Sequence, residues 1–160
     1  EEDFSDAFKG MDKVIFAAGS GGATGDDKTL AVDEKGAIKA IEFAIDHKLK
    51  KFVMLSSMGT DDPEQIKGLE QYLRSKKVAD DHLRKSGLHY TIVQPGGLTN
   101  KEGNEKVEIA KKLDKFGEIP REDVAKALIY SLKMSIVTDI SFEIISGDVP
   151  LKETLENYNQ

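Results

Sequence analysis

Tyr72 and Lys76 stand four residues apart, the separation that puts two side chains on one face of a helix. A free phenol, with a pKa of about 10, is a poor acid or base at neutral pH. An ammonium beside it favours the phenolate and lowers that value. Such a pair can pass a proton to or from a substrate hydroxyl or carbonyl. Ser56 and Ser57 close an apolar run upstream, where a hydroxyl could reach the same oxygen. A bare Y-x-x-x-K match arises readily by chance, and its bland reading is an amphipathic helix with Tyr72 at the core edge and Lys76 stretched to water. What favours chemistry is the order: a strand, a serine pair at its end, then the motif on the following helix.

A second candidate is the glycine-rich stretch Gly19-Ser20-Gly21-Gly22-Ala23-Thr24-Gly25. Gly19, Gly22 and Gly25 match G-x-x-G-x-x-G after a strand and before a helix, the setting in which backbone N–H groups approach a pyrophosphate. Asp26 and Asp27 follow directly and would repel a second anion at that helix start. The next strand ends Leu55-Ser56-Ser57, without the acidic residue that would bind ribose hydroxyls. Three readings therefore stay open: a dinucleotide fingerprint, a turn with Asp27 or Thr29 capping the next helix, or a loop beside a cofactor held mainly elsewhere.

Other chemistries are excluded by composition. There is no Cys, so disulfides, thiolate catalysis and Cys-ligated zinc are absent. His47, His82 and His89 show no metal-ligand spacing. The net charge of −6 argues against nucleic acid and anionic membrane as partners. The longest apolar run, Val14 to Ala18, is far too short to span a bilayer. An acidic start and the lack of Cys make the cytoplasm the expected compartment.

The 160 residues, 39% hydrophobic and 32% charged, suit one packed domain. Four apolar runs read as buried strands: Lys13–Ala18, Lys51–Leu55, Tyr90–Val93 and Phe142–Ile145. Their near-continuous apolarity suggests a parallel sheet covered on both faces. Helical patterns separate them: Ala37, Ile41, Ala44 and Ile45 on one face, a long run from Glu64 to Lys85, and Val124 to Leu132 after Pro120. A short helix from Leu151 to Tyr158 closes the chain. This alternation predicts right-handed βαβ units and a doubly wound, Rossmann-type α/β sheet. The polar, lysine-rich stretch from Thr99 to Glu118 fits no element and reads as a surface connection or a substrate lid.

Taken together, DKVIFAAGSGGATGDDKTLAVDEKGAIKAIEFA (12–44), KKFVMLSSMGTDDPE (50–64), YLRSKKVADDHLRKSGLHYTIVQPGGLTNKE (72–102), PREDVAKALIYSL (120–132) and SGDVPLKETLE (146–156) resemble the short-chain dehydrogenase/reductase superfamily. The similarity is greatest to its atypical branch of small bacterial NAD(P)-binding proteins of the epimerase/dehydratase kind. The resemblance implies a role for each matching position. Ala17, Ala18 and Gly19 form a turn beside the cofactor, and Asp33 replaces the superfamily's active-site Asn. Ser57, with Ser56 beside it, is the catalytic serine, and Tyr72 is the general acid/base. Lys76 binds the nicotinamide ribose and depresses the tyrosine's pKa. Pro95, Gly96, Gly97 and Leu98 wall the nicotinamide, with Thr99 near the substrate. Gln94 departs from the family, which usually carries Arg there. The spacing from Ser57 to Tyr72 is shorter than in the larger extended members, so their substrate pocket is not assumed.

The resemblance also implies that the chain starts after the family's opening β-α-β-α-β segment, which holds the main pyrophosphate-binding loop. On that reading residues 1–160 are one Rossmann-type domain, N-terminally incomplete, in which Glu1–Gly10 matches the helix before the fourth family strand. The strand Lys13–Ala18 would then be an exposed sheet edge open to pairing with another chain. The implied activity is an NAD(P)-dependent oxidoreductase or epimerase/dehydratase-like reaction on a small carbonyl or hydroxyl substrate, with NADP favoured over NAD. The alternative is a non-catalytic NAD(P)H sensor. A homo-oligomer stays open.

Overall fold

The computed structural model describes residues 3–21 and 25–158. Its main sheet has six strands in the order β1-β2-β3-β7-β5-β8. The first four in that order are parallel: β1 (Lys13–Phe16), β2 (Lys51–Leu55), β3 (Tyr90–Pro95) and β7 (Ile140–Ser146). These are the four apolar runs, with ends moved by a few residues. Two further strands make the sheet mixed. β5 (Lys106–Ala110) pairs antiparallel with β7, and β8 (Val149–Pro150) pairs antiparallel with β5. β4 (Gly97–Thr99) and β6 (Glu118–Pro120) form a separate parallel ribbon. The stretch after Thr99 is thus partly sheet. It escapes apolar-run reasoning because β5, KVEIA, carries charged residues and buries only Val107 fully.

Alternate residues of the central strands point to opposite faces. Val53, Val93 and Phe142 pack under α4 (Arg121–Lys133) and α5 (Leu151–Asn157) with Ala127, Leu151 and Leu155. Phe52, Met54 and Ile92 pack on the other face against Ile41, Ala44 and Leu83. The latter come from α2 (Ala37–Asp46) and α3 (Glu70–Lys85). No strand pairs with the outer edge of β1 among the described residues.

Three element boundaries differ from expectation. α3 starts at Glu70, not Glu64; a 3-10 turn at Pro63–Gln65 and Gly68, at φ +85°, precede it. Pro63 opens that short turn, where its fixed φ suits a first helical position, and Gly68 takes the left-handed backbone that breaks a helix, so α3 starts after it. Ser5–Phe8 form only a 3-10 turn where a helix was expected. Before α2, α1 (Asp26–Thr29) runs into a π-helical stretch, Leu30–Gly36, that carries Asp33. Gly25 is the N-cap of α1 and no side chain caps it, so neither Asp27 nor Thr29 acts as expected.

Two buried polar contacts brace the strands. The Lys51 ammonium, on β2, donates to the Ser131, Met134 and Val137 carbonyls and to Thr138 Oγ1, closing the end of α4. Gln94, on β3, donates through Nε2 to Thr60 Oγ1 at 2.6 Å. Beside β1 an apolar hollow of about 790 Å³ is lined by Phe4, Phe8, Phe16, Val32 and Ile38, with Lys35 and Lys39 among its other residues.

Candidate functional site

The tips of β1 and β2 open into a cleft of about 720 Å³. Its lining includes Ala17, Ala18, Gly19, Ser20 and Gly21 after β1, Leu55 and Ser56 at the end of β2, Tyr72 and Lys76, and Leu98 and Arg121. This is the carboxyl end of the parallel strands, where open α/β sheets bind ligands. α3 presents Tyr72, Lys76 and Asp80 at successive steps of four, a polar strip beside the apolar residues Leu73, Ala79 and Leu83 that dock the helix on the sheet.

Lys76 does not reach to water. Its Nζ lies 3.0 Å from Asp33 Oδ1, and the two side chains are only 5% and 1% exposed. Nζ also donates to the Leu55 carbonyl at 3.2 Å. Asp33 Oδ2 accepts from the Ser20 N–H at 2.9 Å, so one carboxylate ties the turn after β1 to α3. A Cβ at Gly19 would stand 3.1 Å from Asp33 Oδ1, which leaves little room for a larger residue there.

The charge pairing corrects one expectation. Lys76 was expected to lower the pKa of Tyr72. Instead burial, then the Asp33 carboxylate, push the phenol up to about 12, with a smaller push from Asp80 and a hydrogen bond with Ser57 acting downward. The ammonium is matched by Asp33 at 3.0 Å and stands 5.8 Å from the Tyr72 ring centroid. At neutral pH Tyr72 therefore holds its proton and can donate it.

The serines divide. Ser57 stands near enough to the Tyr72 phenol to favour its ionisation, and its hydroxyl donates to the Met58 carbonyl at 3.2 Å. Ser56 is buried and donates to Asp80 Oδ2 at 2.6 Å. Burial pushes the Asp80 carboxyl up to about 6 despite that bond. The cleft brings Asp33, Ala17, Ala18, Gly19, Ser56, Tyr72, Lys76 and Leu98 together. Ser57, Pro95, Gly96 and Gly97 lie outside its lining: Pro95 is buried in β3, and a Cβ on Gly96 would collide with the Gly117 carbonyl. Gly22, Ala23 and Thr24 of the glycine stretch lie outside the described residues.

Sequence reasoning missed Asp80 and Arg121. Asp80 was within reach, since it continues the step of four from Tyr72 through Lys76. Nothing in the sequence marks Arg121, which enters the cleft because β6 brings Pro120 beside Thr99. Small residues at the β1 tip and a buried ammonium facing a cleft could accommodate the nicotinamide–ribose end of a pyridine dinucleotide. No group of three or more metal-ligating side chains occurs among the described residues, and no helix there is long and apolar enough to cross a membrane.

Comparison with known proteins points the same way. A family model described as NAD(P)H-binding matches residues 1–135. The uncharacterized sugar epimerase YhfK of Bacillus subtilis is 45% identical over 156 residues, covering 97% of this chain and 72% of that protein. A Bacillus halodurans structure described as a "putative NAD-dependent epimerase/dehydratase" superposes with a TM-score of 0.95 at 44% identity, covering 98% of this chain and 74% of the other. The oxidoreductase ylbE of Lactococcus lactis gives a TM-score of 0.83 at 31% identity, covering 95% and 69%.

Proposed function

Because the chain belongs to the NAD(P)H-binding family, with epimerase and oxidoreductase relatives, we propose that it acts in the reduction of a small carbonyl compound. The reaction takes place in the cleft at the tips of β1 and β2, with NADP favoured over NAD. When bound, the dinucleotide supplies the hydride. Ala17, Ala18 and Gly19 offer it a wall without bulk, Lys76 meets the nicotinamide ribose, and Leu98 covers the ring. Pro95, Gly96 and Gly97 act from behind, by holding Leu98. Ser57 and Tyr72 hold the substrate oxygen, and Tyr72 Oη gives its proton to that oxygen as negative charge builds there. Asp33 and Ser56 are positioning residues, one fixing Lys76 and the other joined to Asp80. Residues 1–160 act as one domain, and the edge of β1 that no strand covers among the described residues leaves a homo-oligomer as part of this reading.

The observation that carries the reading is the buried Asp33–Lys76 pair beside Tyr72. Burial, and after it the Asp33 carboxylate, leave a phenol with a pKa of about 12, an acid that is protonated at pH 7 and suited to quenching an alkoxide rather than abstracting a proton. The test is Tyr72→Phe, followed by NADPH consumption with a panel of small aldehydes and ketones. Turnover should fall by about 100-fold or more, while an NADPH fluorescence titration stays unchanged. Equal turnover by the variant would discard the mechanism. NADPH binding by the unaltered chain with no turnover of any carbonyl would favour the sensor reading instead.

A further inference from the structure

We propose that Arg121 recognises the substrate and that the substrate carries a carboxylate at the end of the molecule away from its reacting carbonyl. The inference rests on the reductase reading for the reacting end but draws on a different part of the cleft. The charged residues lining the cleft are Asp26, Asp33, Glu70, Lys76 and Arg121. Lys76 is matched by Asp33. Arg121 has no ion pair among the described residues; one of its nitrogens donates to Asn100 Oδ1 at 3.0 Å, a neutral acceptor that orients the guanidinium without neutralising it.

Neither helix stability nor neighbouring acids explain that cation. Arg121 is the first residue of α4, where the helix dipole disfavours positive charge. The two acids that follow are engaged elsewhere. Glu122 pairs with Lys126 and accepts from the Gly103 N–H. Asp123, fully buried, accepts from the Asn104 and Glu105 N–H groups. Arg121 is exposed, and close to it lies a buried polar atom without a partner. Thr99 Oγ1 is buried without a hydrogen-bond partner, and Thr99 sits in register with Pro120, the residue before Arg121.

The position and charge of this corner define the ligand. In the sheet order β1-β2-β3 the Gly19–Gly21 turn follows β1 and Leu98 follows β3, with the tip of β2 between them, and Arg121 sits on the Leu98 side because β6, which ends just before it, pairs with β4. A group bound at Arg121 therefore belongs to the substrate rather than to the part of a dinucleotide beside that turn. A guanidinium offers a planar fork of donors that a carboxylate accepts through both oxygens. One unmatched cation balances one negative charge. A phosphate dianion would leave excess charge in a cleft that also holds Asp26 and Glu70. A small oxo acid is the class that fits.

The test compares 4-carboxybenzaldehyde with its neutral methyl ester. The ratio of kcat/KM for the acid over the ester, measured with NADPH, should fall about tenfold or more in Arg121→Met and recover in part in Arg121→Lys. An unchanged ratio would overturn the inference. Saturation-transfer NMR of 4-carboxybenzaldehyde on the chain alone gives a readout without turnover. Loss of its signal in Arg121→Met, with a folded circular-dichroism spectrum, supports the inference even if neither aldehyde is reduced, in which case the reductase reading alone fails. Equal signal in both proteins sinks the carboxylate site whatever the turnover.

Discussion

In Asp33→Asn the Lys76 ammonium loses its counter-charge, and the Tyr72 phenol loses a carboxylate that holds its proton in place. The tyrosine should ionise at lower pH than its present value of about 12. The ultraviolet difference titration of the variant, with and without Tyr72→Phe, reads this directly; a transition that does not move would remove Asp33 from the account. Stripping a buried ammonium of its partner also costs on the order of 3 kcal/mol, so the variant should melt earlier. Residues separated by one helical turn are readable from spacing, which is why Tyr72 and Lys76 could be picked out, with Ser57 added from its place after the preceding strand. Their charge state could not be read. It depends on Asp33, far upstream, and no pattern says which of the chain's acids a buried lysine will meet.

At the scale of elements, Lys51 shows how one side chain can terminate a helix packed on its strand. Lys51→Met leaves the Ser131 carbonyl without this donor, whereas the Val137 carbonyl still accepts from Thr91 Oγ1. One orphaned buried acceptor costs about 1–3 kcal/mol, partly offset because the desolvated ammonium is gone. Urea unfolding should therefore show a modest loss of stability, and an unchanged midpoint would mean that the clamp contributes nothing net. The strands β1, β2, β3 and β7 were legible as apolar runs because both faces of the sheet are covered. β5 was not, since charged residues interrupt its pattern, and neither was the late start of α3, where Gln65, Ile66 and Lys67 continue a helical composition across a turn set by Pro63 and Gly68.

Stability belongs to the whole molecule, and Asp80 gives it a pH dependence. Its carboxyl titrates near 6 in the folded chain against an ordinary value of 3.8. Between those values the folded state binds more protons, so stability falls as pH rises from about 4 to about 6 and then levels. The two-unit displacement corresponds to roughly 3 kcal/mol. Asp80→Asn, which keeps an acceptor for Ser56, should lose this slope and be the more stable protein at pH 7. Parallel unfolding curves at both ends of the window check it; equal slopes in the two proteins would contradict the assignment.

The phenylalanine-lined hollow along β1 bears on how such curves are recorded. Anilinonaphthalene sulfonate, an aromatic anion, would find there both an oily lining and the lysines at positions 35 and 39. The native protein should make this dye glow before any heating, so brightness at room temperature is no sign of a molten state. Melting curves followed by such dyes would begin from a raised baseline, and circular dichroism is the safer signal.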